Sequence, residues 1–155
     1  MTCSFFPNSA VFVLGAGLIA GCASGPSYIT NSADIVKAAD WKNTQTVTVK
    51  ITEHDYTPRN LKLKIGQAYK LEMKNMGDKD HYYTAPDFYK AIATRKAMVN
   101  KFAEIKAPYF DAFEILKKSG QIDLYFVPVK AGTYAVYCTI DDHREKGMEG
   151  TITVE

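Results

Sequence analysis

The chain has 155 residues, of which 46% are hydrophobic and 23% are charged, and its formal net charge is +2. This length is that of one domain with a hydrophobic core of its own, and the average apolar content with many aromatic residues excludes a mainly disordered chain. Because 19 Lys and Arg nearly balance 17 Asp and Glu, the composition argues against a nucleic-acid-binding protein.

The first 21 residues carry no charged side chain. Residues 10–21 are apolar and small, a run too short to span a bilayer but of the length of a signal-peptide core. The run ends in Ile19-Ala20-Gly21-Cys22, which resembles a bacterial lipobox. That resemblance implies a signal peptide at 1–21 and lipidation of Cys22, with an ordinary cleaved secretory signal as the alternative.

A lipid on Cys22 implies a location in the cell envelope, on the periplasmic side of the outer or the inner membrane. Without the lipid, the protein would lie free in the periplasm. Cys3 would leave with the signal, so Cys138 would be the one free thiol of the mature chain. In an oxidising compartment a lone thiol needs an explanation, and a metal is the leading one.

The predicted elements begin with a tether at residues 22–44, which opens on small and polar residues and includes a short helical turn near 33–41. From residue 45 onward, apolar and polar residues alternate in short segments separated by Gly and Pro turns. This pattern predicts strands near 46–52, 61–65, 69–74, 113–116, 121–127, 133–140 and 150–155. The regular spacing of these strands indicates a β-sandwich or barrel.

A helical insert is predicted at about 84–118. Thr84 and Asp87 resemble the two ends of a capping box, and Phe88, Ile92, Val99 and Phe102 follow at helical spacing. We expect this stripe to pack against the sandwich, and a partner-binding helix is the alternative.

Three potential metal ligands follow one another at intervals of five residues: Cys138, His143 and Met148. A strand delivers the cysteine, a loop carries the histidine, and the methionine stands at the start of the last strand. Thiolate, imidazole and thioether donors together suit a soft metal such as copper. A fourth ligand is expected from His81, which follows a predicted strand and turn, because His54 lies between Glu53 and Asp55 and is expected on the solvated surface.

At these residues the chain resembles the cupredoxins, the blue-copper electron carriers. The segment Gly132-Thr133-Tyr134 before Cys138 and the segment from Gly147 to Gly150 match the family pattern over roughly residues 44–155. The resemblance implies an all-β Greek-key sandwich and one copper ion held by His81, Cys138, His143 and Met148. It also implies that electrons leave by the exposed edge of His143, with His81 buried. Tyr82 stands where many members have Asn, and Asp141-Asp142 stands where many have Pro-Gly.

The closed ligand set argues against an enzyme, because catalytic metals keep an open position. The leading hypothesis is a monomeric one-electron carrier, bound to a membrane by its lipid and exchanging electrons with redox proteins such as cytochromes or a terminal oxidase or reductase. The alternative is a copper-binding protein for tolerance, storage or delivery. A nitrite reductase is a poorer fit because the chain has too few histidines for a second copper, and a zinc site would leave Met148 unused.

Overall fold

The computed structural model describes residues 27–155, so the predicted signal peptide and Cys22 lie outside the described residues. The described part contains the helices α1 (Ser32–Ala38) and α2 (Pro86–Lys90) and a single 3-10 turn at Trp41–Asn43. Its strands are β1 (Gln45–Thr52), β2 (Asp55–Thr57), β3 (Asn60–Leu63), β4 (Tyr69–Asn75), β5 (His81–Thr84), β6 (Ile92–Val99), β7 (Ala103–Ile105), β8 (Ala112–Ile115), β9 (Gln121–Pro128), β10 (Gly132–Tyr137) and β11 (Glu149–Val154). No helix between residues 27 and 155 is long and apolar enough to cross a membrane.

The strands form two sheets that enclose one core. The first sheet has the order β2-β1-β4-β9-β6-β7 and the second has the order β3-β11-β10-β5-β8. Residues from both sheets, such as Leu71 and Leu124 in the first and Val136 and Ile152 in the second, are buried together in one cluster. The predicted all-β sandwich is therefore confirmed.

Strict alternation explains why the predicted strands form. In β4 the side chains of Tyr69, Leu71 and Met73 are buried, while the intervening Lys70 and Glu72 face outward. A strand with one apolar face must pack that face against a second layer, because successive side chains point to opposite sides of a sheet.

The predicted helical insert at 84–118 is corrected by the structure. Only Pro86–Lys90 is helical, and β6, β7 and β8 follow it. A register shift between Thr94 and Lys96, where β6 pairs with β9, interrupts the alternation that would have revealed this strand. Phe102 is 94% exposed at the β6–β7 connection, so it does not belong to a buried helical stripe.

The predicted tether at 22–44 also differs from the structure in its described part. Helix α1 contacts β6 and β9, and Ile29 is buried with Ala93 and Val127. Val127 lies on the face of β9 opposite to Leu124 and Phe126, so this segment covers the outer face of the six-stranded sheet. The apolar side chains of the segment explain why it packs, and the domain begins before residue 44.

One end of the sandwich gathers the residues singled out by the sequence. β4 ends at Asn75, β5 begins at His81, β10 ends just before Cys138, and β11 begins just after Met148. We call this end of the sandwich the ligand end.

Candidate metal centre

Three side chains that the sequence predicts as ligands converge at the ligand end. The potential donor atoms of His81, Cys138 and His143 all lie within 4.8 Å of one another. These residues are 0%, 1% and 2% exposed, respectively. Met148, the fourth predicted ligand, is 0% exposed. The predicted ligands are therefore all buried, and three of them form a compact cluster of potential donors.

Backbone hydrogen bonds fold the segment from Cys138 to Met148 back on itself. The N–H of Cys138 donates to the carbonyl of Met148 at 3.1 Å, and the N–H of Met148 donates to the carbonyl of His143 at 3.0 Å. The N–H of His143 donates to the carbonyl of Ile140 at 3.0 Å. These bonds fix the three residues relative to each other without any metal.

Two glycines near Met148, at positions 147 and 150, are favoured for different structural reasons. Gly147 has a φ of +91°, a left-handed conformation that favours glycine. At Gly150 an added Cβ would collide with the carbonyl oxygen of Arg59 on the neighbouring strand connection. The Gly-Met-Glu-Gly sequence thus lets the chain turn and then lie close against Arg59 as it enters β11.

His81 is fixed by a buried asparagine that the sequence analysis missed. Asn75 is 0% exposed, and its Nδ2 donates to the carbonyl oxygens of Lys79 at 2.7 Å and Ile115 at 2.8 Å. Its Oδ1 accepts the N–H of Gly77 at 2.9 Å. Since Ile115 is the β8 residue paired with His81, Asn75 clamps both sides of that ligand. A polar residue at an inward position of the alternating strand β4 was the signal that could have identified it.

The surroundings of the cluster favour neutral imidazoles. The backbone N–H of Tyr82 donates to Cys138 Sγ at 3.4 Å, and His143 Nδ1 lies 3.5 Å from the same sulfur. Burial, and next the nearby His143, lowers the pKa of His81. Burial also lowers the pKa of His143, with His54 as the next cause. A neutral imidazole is the form that binds metal.

The residues present fit copper. Among residues 27–155, neither ring nitrogen of His81 has a hydrogen-bond partner, although both are buried. Buried polar atoms without partners are costly, so their presence points to a ligand that completes them. A cysteine sulfur and two histidine nitrogens beside a methionine are the donor set of blue-copper sites.

The sequence led us to expect His54 on the solvated surface, away from the site. The structure instead places it next to His143. Its ring centroid is 4.8 Å from that of His143, with an interplanar angle of 71°. His143 in turn is 2% exposed, whereas the family resemblance led us to expect an exposed edge. The sequence offers no local signal for this contact, because residues 54 and 143 meet only through the fold.

Comparisons with known proteins agree with this architecture. A family model described as "Cupredoxin-like domain" matches residues 28–154. A search of curated proteins finds no match.

Among solved structures, the chain is similar to sodium-dithionite-reduced auracyanin from the photosynthetic bacterium Roseiflexus castenholzii. The identity is 19% and the TM-score is 0.52, over 72% of this chain and 97% of that one. It is also similar to a multicopper oxidase from Campylobacter jejuni, with 14% identity and a TM-score of 0.55, over 76% of this chain and 31% of that one. A copper-containing nitrite reductase from Thermus scotoductus gives 11% identity and a TM-score of 0.54, over 72% of this chain and 31% of that one. At these identities the likeness concerns the fold.

Proposed function

The chain belongs to the cupredoxin-like domain family and its cofactor is copper, and on that premise we propose that it is a one-electron carrier. The proposed ligands are His81, Cys138, His143 and Met148. A copper ion held by them supplies one-electron chemistry by alternating between Cu(I) and Cu(II).

The observation that carries this proposal is the closed and preorganised donor cluster. The donor atoms of His81, Cys138 and His143 lie within 4.8 Å of one another in a buried site, and backbone hydrogen bonds hold the loop of Cys138, His143 and Met148. A rigid ligand set limits the rearrangement that each change of oxidation state requires. With Met148 as the proposed fourth ligand, the metal would have no open position for a substrate, which favours a carrier over an enzyme.

The visible spectrum and voltammetry of the copper-loaded protein test the proposal. We expect intense thiolate-to-copper absorption with Cu(II) and a reversible, positive reduction potential. The control is the same protein loaded with Zn(II), which should stay colourless and redox-silent. A copper-loaded protein without reversible oxidation and reduction would contradict the carrier function.

Copper storage or delivery is the second candidate, and the burial of His143 favours it. A ligand that is only 2% exposed is poorly placed for direct electron exchange with a partner. This candidate predicts tight Cu(I) binding by a colourless protein, together with transfer of the metal to a chelator or an acceptor protein. Retention of copper through many redox cycles would contradict it.

We further propose that Cys22 carries a lipid and holds the protein on the periplasmic side of the outer or the inner membrane. Ser27 lies near Lys130 and Tyr134, at the end of the sandwich opposite to Cys138. An anchor just before Ser27 would therefore turn the ligand end away from the membrane, towards redox partners such as cytochromes or a terminal oxidase or reductase. Cys22→Ser should release the protein from the membrane fraction or block signal processing, and an unchanged membrane fraction would contradict the anchor.

A further inference from the structure

The ring of His143 is covered by another histidine. His54 packs edge-on against it, with centroids 4.8 Å apart, and His54 itself is half-buried. His143 is 2% exposed, so a molecule that approaches from this side meets His54 first.

His54 adopts a left-handed backbone conformation, which is uncommon for residues other than glycine. It is the second residue of the two-residue turn between Thr52 and Asp55, which are paired in β1 and β2. Its φ is +62°, at a turn position where glycine or asparagine is usual. Among residues 27–155 its buried Nδ1 also has no hydrogen-bond partner. The positive φ and the unpaired nitrogen both lower the stability of the fold at His54. Because strained residues concentrate at functional sites, these features point to a functional role for His54.

The turn that carries His54 is tied to the loop that carries His81. Glu53 Oε1 accepts the N–H of Asp78 at 2.6 Å, and Gly77 lies directly against the Glu53 carboxylate. Asp78 is three residues before His81. The position of His54 over His143 is therefore fixed by the same segment that sets the first ligand.

We propose that His54 is the outermost residue of the copper site, where it covers His143 and determines how closely a redox partner can approach that ligand. This proposal rests on the proposed electron-carrier function. Electron tunnelling slows steeply with distance, so a ring placed over His143 restricts exchange to partners shaped to contact His54. Small redox reagents are kept one ring further from the ligand than they would be at an exposed histidine.

His143 is also reachable by a second route, which the experiment must distinguish from the route past His54. His143 also lines a surface cavity together with Lys79, Lys117 and Asp141. Lys117→Ala widens that cavity without touching His54, and it therefore serves as the matched control.

The experiment compares the oxidation rates of the reduced copper protein by two small reagents of opposite charge. One electron passes from the Cu(I) protein to hexacyanoferrate(III) or to tris(phenanthroline)cobalt(III), which yields the Cu(II) protein and the Fe(II) or Co(II) complex. We expect His54→Gly to raise both rates several-fold, because glycine tolerates the positive φ and uncovers His143. His54→Phe keeps a ring in place and should retain the slow rates of the unaltered protein, and Lys117→Ala should not accelerate both reagents.

The opposite charges of the two reagents distinguish the uncovering of His143 from a change in local charge. A change in local charge raises the rate with one reagent and lowers it with the other, whereas uncovering raises both. Equal rates for His54→Gly and the unaltered protein would overturn the proposal, as would equally fast rates for His54→Gly and His54→Phe. If Lys117→Ala were the one variant in which both rates rose, the reagents would reach His143 through the cavity, and the proposal for His54 would be overturned.

A chemical readout tests the cover even if the protein proves not to be a carrier. In the metal-free protein, diethyl pyrocarbonate should modify His54 and spare His143, as located by peptide mass spectrometry. In His54→Gly, His143 should become reactive. Equal reactivity of His143 in both proteins would overturn the cover, whereas failure of the electron-carrier function appears separately, as the absence of reversible redox in the unaltered protein.

Discussion

The aromatic interior of the sandwich and the ligand end of the same sandwich treat buried polar atoms differently. In the interior, the hydroxyl of Tyr56 donates to the carbonyl of Tyr82, and the hydroxyl of Tyr89 donates to the carbonyl of Tyr83 at 3.0 Å. At the ligand end, both ring nitrogens of the equally buried His81 lack a partner among the described residues.

This difference shows how one small domain separates stability from chemistry. The aromatic interior contributes folding free energy, because apolar area is buried and the hydroxyls of Tyr56 and Tyr89 are paired within it. The ligand end leaves donors unpaired and relies on the interior to hold them in place. A change in the interior should therefore alter mainly the stability, and a change at the ligand end should alter mainly the spectrum and the reduction potential.

The largest effect is expected from Cys138→Ser, which removes the thiolate on which the visible absorption depends. We expect complete loss of the visible band on addition of Cu(II), since a hydroxyl is a poor ligand for copper. The metal-free variant should still fold, because the aromatic interior is intact. Absorption and urea unfolding, compared with the metal-free unaltered protein, test both statements, and a retained visible band would refute the ligand assignment.

The opposite pattern is expected from Phe88→Ala, in the middle of the interior. Phe88 is 0% exposed and packs against Tyr89, Phe126 and Tyr134. Loss of its ring should reduce the free energy of unfolding by about 3–5 kcal/mol, through lost burial and the cavity left behind.

The visible spectrum of the copper-loaded Phe88→Ala protein should not change, because the interior supports the site without touching the donors. If that variant is too unstable to isolate, Phe88→Leu offers a smaller loss with the same expected spectrum. A shifted band at unchanged stability would show that the two regions are not separable in this way.

The sequence predicted most of the strands and singled out the residues that meet at the ligand end, but it missed the strands β6 and β7. Cys138, His143 and Met148 lie within eleven consecutive residues, so their spacing alone indicates a set of metal ligands. The segment after Thr84 was misread because the register shift at Thr94 and Lys96 hides the strand alternation.

His54 and Asn75 show a second limit of the sequence. The contact of His54 with His143 arises because the β1–β2 turn folds over the ligand loop, and no local pattern encodes a packing that joins residues so far apart. Asn75 was visible as a polar residue at an inward strand position. Its role depends on the carbonyls of Lys79 and Ile115, whose positions only the fold reveals.

An intermediate effect on both regions is expected from Asn75→Ala, because Asn75 joins the end of β4 to the His81 loop. Loss of its side-chain hydrogen bonds leaves buried carbonyl oxygens unpaired and should cost about 1–3 kcal/mol of unfolding free energy. It should also shift the visible band or the reduction potential, since His81 is no longer clamped.

Asn100→Ala is the matched control for Asn75→Ala. Asn100 Oδ1 accepts the N–H of Gln121 at 2.7 Å in an exposed setting, so its removal should leave spectrum and potential unchanged. An Asn75→Ala protein that loses stability but keeps the native spectrum and potential would restrict Asn75 to a purely structural role.

The smallest effect is expected from acid acting on the outer face of the six-stranded sheet, away from the donors. Hydrogen bonds from Lys70, then Lys74, lower the pKa of Glu72 from 4.5 to about 2. Because the folded-state pKa lies below the unfolded one, this carboxylate contributes stability above about pH 4.5, and the contribution is lost as the pH falls towards 2. The metal-free protein should therefore lose stability more steeply over this range than Glu72→Gln does, as measured by urea unfolding. The buried histidines titrate alike in both proteins and cancel in the comparison, so equal acid sensitivity would show that Glu72 contributes nothing measurable.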